Sequence, residues 1–390
     1  MRDLLLEGSE ENTLIYETEL LVGIFDSKAC CKHHLLVGLC VTVYLTAATL
    51  LPLSLKFLYS SFNYPVFLTY VQLTFSWVFI LLILFIKFAT KFFRQKIKKI
   101  DWTGWLFDRW LLYKLKKTSL VGFLFGLRFI LANVGLSLVD PDVHFLLQSS
   151  GMFWAMLFSA ILNNEKPDLY ELFCCLFTVI GSAMISLNFM FKENRIIGLL
   201  INLVSAVVEG LTVVTLRAAA LKLVVTDKKD LKLRPSEFTA LKLFVSSLVV
   251  LPFFLLLDAS PEFLYESFLS RHQTYLVTAL RNLNLLEWTL IITASFLTFI
   301  FQFNFTCFAS LCDSVTLSLV GDLKILPQVL FSALLFRNFN FSLLHLIGCI
   351  SVCLASVSYA LLKHTKLLAS SYNEESTDKQ LFISIKELLT

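Results

Sequence analysis

Charged residues are scarce in this chain. Asp, Glu, Lys and Arg make up 16% of its 390 residues, against 57% hydrophobic residues and a mean hydropathy of +0.75. A soluble domain with so little polar surface is excluded on that balance alone. Glycine is sparse as well, at 13 residues, and none of it builds a nucleotide-cradling loop; there is no nucleophile elbow and no zinc motif. The nine cysteines include the neighbours Cys30/Cys31 and Cys174/Cys175 but no CxxC and no Cys/His cluster of zinc spacing. No catalytic residue, bound metal or cofactor is therefore expected, and the chain does not read as an enzyme. Residues 1–33 lack the basic and apolar regions of a signal peptide and the Arg/Ser richness of a transit peptide, so 1–34 reads as a cytosolic tail.

What is abundant is long apolar sequence. Runs of about 20 residues, enough to cross a bilayer, recur along the whole length. With no water to satisfy backbone groups in hydrocarbon, such runs must be helices or a closed barrel, and their length without strict alternation excludes the barrel. The reading is an all-α integral membrane protein with ten transmembrane helices, at roughly 35–57, 65–86, 118–139, 143–162, 169–190, 196–221, 238–257, 288–310, 314–336 and 342–362. The polar segment 363–390 reads as a second cytosolic tail.

Loop charge orients the spans. The loop 87–117 carries ten Lys/Arg against two Asp, and 222–237 carries five basic residues against three acidic. On the other side, 140–142 has two Asp and no base, and 258–287 has two Arg against four acids. The positive-inside rule puts the basic loops and both termini in the cytosol. The overall charge of +4 sits in loops and reports orientation, so no nucleic-acid partner is expected. Within the first basic loop, DWTGWLFDRWLLYKLKK reads as an interfacial helix on the cytosolic leaflet.

Two short strings recur at one offset. SLVD at 137–140 matches SLCD at 310–313, and FSAIL at 158–162 matches FSALL at 331–335, both 173 residues apart. The offset spans five helices, an odd number, so the two copies enter the membrane in opposite senses. The expected architecture is two inverted five-helix repeats, 35–190 and 196–362, a plan used by secondary transporters that bind solute between the halves.

Polar residues within the spans are the candidates for chemistry: Gln72, Arg128, Asn133, His144, Gln148, Glu209, Arg217, Gln302, Asn304 and Lys324. Lys324 stands out, in the run DSVTLSLVGDLKILPQVLFSALLF at 313–336, with Pro327 placed to bend or loosen the helix just after it. A cation at that depth faces protein, water or an anion; pairing with Asp322 or snorkelling is the plainer reading. Arg128, in mid-span, either pairs with Glu209 to hold two spans together or, like Arg217, presents a guanidinium fork to an anion. Gln302 and Asn304, alternating with aromatics in FQFNF, either hydrogen-bond a base or sugar or cross-link helices. His144 is either structural or a proton-sensitive gate.

The strings VHFLLQSSGMFWAMLFSAILNNEKP at 143–167 and DSVTLSLVGDLKILPQVLFSALLF at 313–336 resemble the nucleotide-sugar/triose-phosphate transporter family of the drug/metabolite transporter superfamily, in flavour its GDP-fucose-transporter-like subgroup. The first resembles the family's fourth span, closing on Glu165 and Lys166. The second resembles its ninth, with a Gly-x-x-Lys step at Gly321 and Lys324. The resemblance implies the drug/metabolite transporter fold and antiport of a phosphorylated solute, usually a nucleotide sugar against a nucleoside monophosphate, across the Golgi or ER membrane, with Lys324 on the phosphates. Two positions depart from it: Gln148 stands where many relatives keep Lys, and Ile325 where phosphate translocators often carry Arg.

The expected function is thus an alternating-access antiporter of nucleotide sugars or related organic phosphates. Its expected substrate-binding residues are Lys324, Gly321, Gln148, Thr316, Ser318, Asn304, Arg128 and Arg217. The expected partners are the anionic solute and the lipid bilayer; the residues leave open a monomer or a homodimer. The rivals are a carrier of a non-phosphorylated solute and a membrane scaffold that transports nothing.

Overall fold

The computed structural model describes residues 27–94, 110–162, 167–193, 196–225, 232–258, 276–311, 317, 324–336, 343–344, 346–359, 361–362 and 365. Among these residues every regular element is a helix and no strand occurs. In chain order the helices are α1 (Ser27–Tyr59), α2 (Pro65–Arg94), α3 (Leu111–Leu138), α4 (Pro141–Gln148), α5 (Gly151–Leu162) and α6 (Leu169–Glu193). They continue with α7 (Ile196–Leu223), α8 (Pro235–Leu257), α9 (Leu276–Arg281), α10 (Leu285–Leu311), α11 (Ile325–Phe336) and α12 (Leu346–Tyr359).

Among the described residues seven helical stretches are long and apolar enough to cross a membrane: Thr42–Tyr59, Pro65–Thr90, Leu111–Leu138, Val143–Leu162, Ile196–Leu223, Pro235–Leu257 and Leu285–Ser310. Two shorter apolar helices, Leu169–Met184 and Leu346–Tyr359, stand where the fifth and tenth spans are expected. The expected ninth span, 314–336, is described at Leu317 and from Lys324 onward. The fold is therefore all-α, with several membrane-length apolar helices.

Large apolar side chains lie on the outside as well as in the core, and several polar ones are buried. Phe85, Leu112, Leu285 and Leu334 are each at least 65% exposed, whereas Arg128, Gln148, Glu209, Lys242 and Gln302 are buried. Apolar surface on that scale is stable only against lipid or another apolar partner. Between some helices the contact is close as well as apolar. A methyl group added at Gly122 of α3 would stand 2.5 Å from the Cβ of Val245 on α8, so the two backbones meet there because a side chain is missing. The Ser246 hydroxyl uses this proximity, donating to the Gly122 carbonyl at 2.8 Å.

Helix starts follow recognisable chemistry. Proline opens α2, α4 and α8, where its missing N–H leaves no bond unmade. At α10 the Glu287 carboxylate accepts from the Asn284 backbone N–H at 2.9 Å while the Asn284 side chain accepts from the Glu287 N–H at 2.9 Å, a reciprocal cap. Two starts differ from the expected boundaries. Helix α1 begins at Ser27, inside the segment read as a tail, because a helix need not stop where its apolar run stops. The interfacial helix expected over 101–117 is not separate in its second half: 111–117 forms the first two turns of α3, and Lys114 is buried there. Residues 101–109 of that expected helix lie outside the described residues.

One cation ties helix ends together. Lys56 of α1 donates to the carbonyls of Leu136 and Val139, at 3.0 and 2.7 Å, where α3 has run out of partners. The ammonium also complements the negative end of the helix. Lys56→Met is expected to cost about 1.5–3 kcal/mol, the usual worth of hydrogen bonds to a charged group. Its check is thermal unfolding of the detergent-solubilised protein; an unchanged midpoint would mean that these bonds contribute nothing.

Candidate functional site

Three helices and the residue before a fourth converge on one buried carboxylate. Glu209 sits in the middle of α7, with its side chain 9% exposed. Arg128, in the second half of α3, is bonded to it through Nη2 and Oε1. Lys324, directly ahead of α11, brings its ammonium to 3.9 Å from the same oxygen. Of the two readings of Arg128 made from the sequence, the geometry realises the pair with Glu209, and it adds Lys324 to that pair. The break in the expected fourth span lies here too. Gln148 ends α4, Ser149 and Ser150 make a turn, and Gly151 opens α5; the position a Gly151 Cβ would occupy is 3.4 Å from Glu209 Cγ.

Aromatic rings enclose the charges. Lys324 stands over the Phe301 ring at 5.7 Å from its centroid, and Arg128 over Phe125 at 5.9 Å. The two rings are joined through Phe305, which stacks on Phe301 at 5.7 Å and meets Phe125 edge-on at 6.1 Å. Tyr44 of α1 stacks on Phe301 at 5.3 Å. Cations over such faces in a desolvated setting gain electrostatic attraction that water would otherwise screen. Two faces of the pair remain unused among the described residues: Arg128 Nη1 and Glu209 Oε2 meet no hydrogen-bond partner. A guanidinium and a carboxylate with one open edge each offer a donor and an acceptor to a third group.

The other expected site residues take varied places. Gln148 donates to the Ser205 hydroxyl of α7 at 2.9 Å, one turn of α7 away from Glu209. His144, also on α4, pairs through Nδ1 with the Asn202 side chain of α7. Asn304 returns its amide to the Ile300 carbonyl of its own helix at 3.0 Å. Arg217 donates to the Ala309 carbonyl at 2.9 Å, in the last turn of α10, where orphan carbonyls draw cations. It shares α7 with Glu209 but sits eight residues away, about 12 Å along the axis. Gly321, Thr316 and Ser318 lie outside the described residues.

Besides Lys114, a second buried cation is missing from the polar residues singled out in the sequence. Lys242 of α8 is fully buried, 4.2 Å from the centroid of the Phe125 ring and 2.9 Å from the Thr306 hydroxyl. The signal was present in TALKLF, a lysine just inside the start of the expected span 238–257, where it reads as a flanking charge.

No family model matches the chain, and no curated protein matches it. Among solved structures, one described only as the crystal structure of a protein is similar at a TM-score of 0.51 and 17% identity, over 83% of this chain and 97% of that one. At that identity the likeness shows a shared fold alone.

Proposed function

We propose that this protein is a ten-helix alternating-access antiporter, of the nucleotide-sugar/triose-phosphate transporter kind, that exchanges nucleotide sugars or related phosphorylated metabolites across the Golgi or ER membrane, with both termini cytosolic. The observation that carries this reading is the placement of Lys324: a largely buried ammonium beside Glu209, Arg128 and the Phe301 ring, between elements from both ends of the chain. Charges at such depth are costly and persist where they serve a substrate or each other. Here two cations, Arg128 and Lys324, meet one carboxylate.

Helix bounds support the inverted repeat. Moved along by 173 residues, α3 lands on 284–311 and α10 is Leu285–Leu311; α5 lands on 324–335 and α11 is Ile325–Phe336. The same shift carries α2 onto 238–267, against Pro235–Leu257 for α8, and carries α6 onto 342–366, which contains α12. Gly151, which opens α5 after the helix break, moves to position 324. Both repeat copies thus bring a helix N-terminus to Glu209, and paired half-helix ends at the midplane are how inverted-repeat carriers meet charged solutes. In this reading the phosphate oxygens compete with Glu209 for Lys324. A positively lined site is costly to reorient without an anion aboard, which couples each passage to an exchange.

The test is thermal stabilisation of the purified protein by nucleotide sugars, nucleoside monophosphates and triose phosphates, with Lys324→Ala alongside. A ligand that binds only the folded state raises the melting temperature by mass action. The expected result is a rise from one nucleotide or its sugar conjugate in the wild type, weakened roughly 30- to 100-fold in apparent affinity in Lys324→Ala, as befits loss of a charge-assisted contact. In liposomes, exchange falls in parallel. A flat panel on well-folded protein would turn the reading to a non-phosphorylated solute or a scaffold. Uptake into unloaded liposomes at the exchange rate would refute the coupling.

A further inference from the structure

Lys242 and Gln302 are left over by everything described above. The Lys242 ammonium has three protons to place. Thr306 Oγ1 takes one at 2.9 Å, and the Gln302 backbone carbonyl stands at a long 3.5 Å. Among the described residues no carboxylate comes within ion-pair distance of it. Gln302, one turn before Thr306 on α10, is fully buried, yet neither atom of its side-chain amide meets a hydrogen-bond partner among the described residues. A buried cation with no counter-ion and a buried amide with no partner each oppose folding. Two such groups one turn apart along the contact of α8 with α10 are a poor way to pack it, where Leu and Phe would serve better.

Their position supplies the missing reason. Lys242 and Arg128 stand over the same Phe125 ring, at 4.2 and 5.9 Å from its centroid. Lys242 is therefore a neighbour of the Arg128–Glu209–Lys324 cluster, and it reaches it from α8, a helix that contributes nothing else there. Lys242 brings a third cation to a cluster in which Glu209 already meets Arg128 and Lys324, and among the described residues no carboxylate stands at ion-pair distance from Lys242. The amide of Gln302, one turn from Thr306 on the face of α10 that Lys242 meets, adds a donor and an acceptor without a partner among the described residues, which a purely structural cation would not need.

We infer that Lys242 and the Gln302 amide form a second ligand contact, on α8 and α10, that grips the oxygens of an organic phosphate whose other end meets Lys324 and Arg128. This rests on the transport reading, and it extends the site to a helix and a lysine that no motif pointed to. It makes the site two-poled: a small phosphate reaches one pole, and an extended solute reaches both.

Gln302→Leu decides the matter, because packing and binding predict opposite signs for it. Leucine is of similar bulk to glutamine, one atom shorter and without polar atoms, so the ligand-free protein is expected to melt higher. The same change is expected to weaken, by roughly tenfold, the stabilisation by whichever of GDP-mannose, UDP-glucose, GMP or UMP acts on the wild type. Inorganic phosphate, run beside them, is expected to be unaffected by Gln302→Leu and abolished by Lys324→Ala. Lys242→Met should follow Gln302→Leu in affinity; if it fails to fold, Gln302→Leu still gives the answer. A higher melting temperature with unchanged affinity would overturn the inference while leaving the transport reading intact, as would a lower melting temperature, which would mean that the amide is paired within the protein. If none of the phosphates stabilises the wild type, the transport reading falls and this inference falls with it.

Discussion

Arg128→Met is expected to destabilise the folded protein by about 3–5 kcal/mol, the cost of leaving a buried carboxylate without its partner. Glu209 is 7% exposed and one of its oxygens already lacks a partner among the described residues, so it cannot turn to water when the guanidinium is removed. Lys324, at 3.9 Å, supplies partial relief. That makes the reverse substitution the harsher one: Glu209→Gln takes from Arg128 and Lys324 the carboxylate that both meet, leaving two like charges close together. The double variant Arg128→Met/Glu209→Gln removes the pair and is expected to recover most of the loss, since replacing both members of a buried ion pair is often near neutral. Detergent unfolding of the four proteins measures the coupling directly. If the two single losses simply add in the double variant, the pair contributes no interaction energy and α3 and α7 are held by something else.

How much of this was legible in the sequence follows from what kind of signal each feature leaves. Apolar runs are conspicuous because lipid demands them over about 20 residues, and seven helices of that character stand where runs were expected. Helix ends are less legible. Backbone bonding carries α1 back to Ser27 and α3 back to Leu111, past the point where hydrophobicity fades, and Lys114 is buried despite its charge. The turn at Ser149 and Ser150 was hidden inside a run whose composition suits one continuous helix. Charges at depth announce themselves, which is why Arg128, Glu209 and Lys324 could be singled out. Their pairing could not be read with certainty, because it depends on which faces of α3, α7 and α11 meet. Arg217 illustrates the point: it lies on the same helix as Glu209, and its guanidinium goes instead to the Ala309 carbonyl of α10. Lys242 shows the converse: nothing in the sequence marks a lysine near a span end as one that tertiary packing has closed over.

Gly210 is where a single methyl group is expected to do the most damage. It follows Glu209 on α7, and a Cβ there would lie 2.6 Å from the backbone nitrogen of Ala155 and 2.6 Å from Trp154 Cβ, both on α5. Backbone cannot swing aside as a side-chain tip can, so α5 and α7 would have to separate. Gly210→Ala is expected to cost about 1–3 kcal/mol, the range for overpacking, and Gly210→Val more. The contrast lies just across the same interface. At Gly151 the nearest atom to an added Cβ is Glu209 Cγ at 3.4 Å, an ordinary contact, so Gly151→Ala should fold with unchanged or slightly raised stability. Melting temperatures of the two alanine variants, measured in one detergent, test the packing of α5 against α7. Equal tolerance at both positions would mean that the helices stand further apart than described. A loss at Gly210 alone would show that the carboxylate next to it is held by steric contact between two helices as much as by its cations. In that case the ligand response should weaken in Gly210→Ala along with the fold, since moving α7 moves Glu209 away from both Arg128 and Lys324.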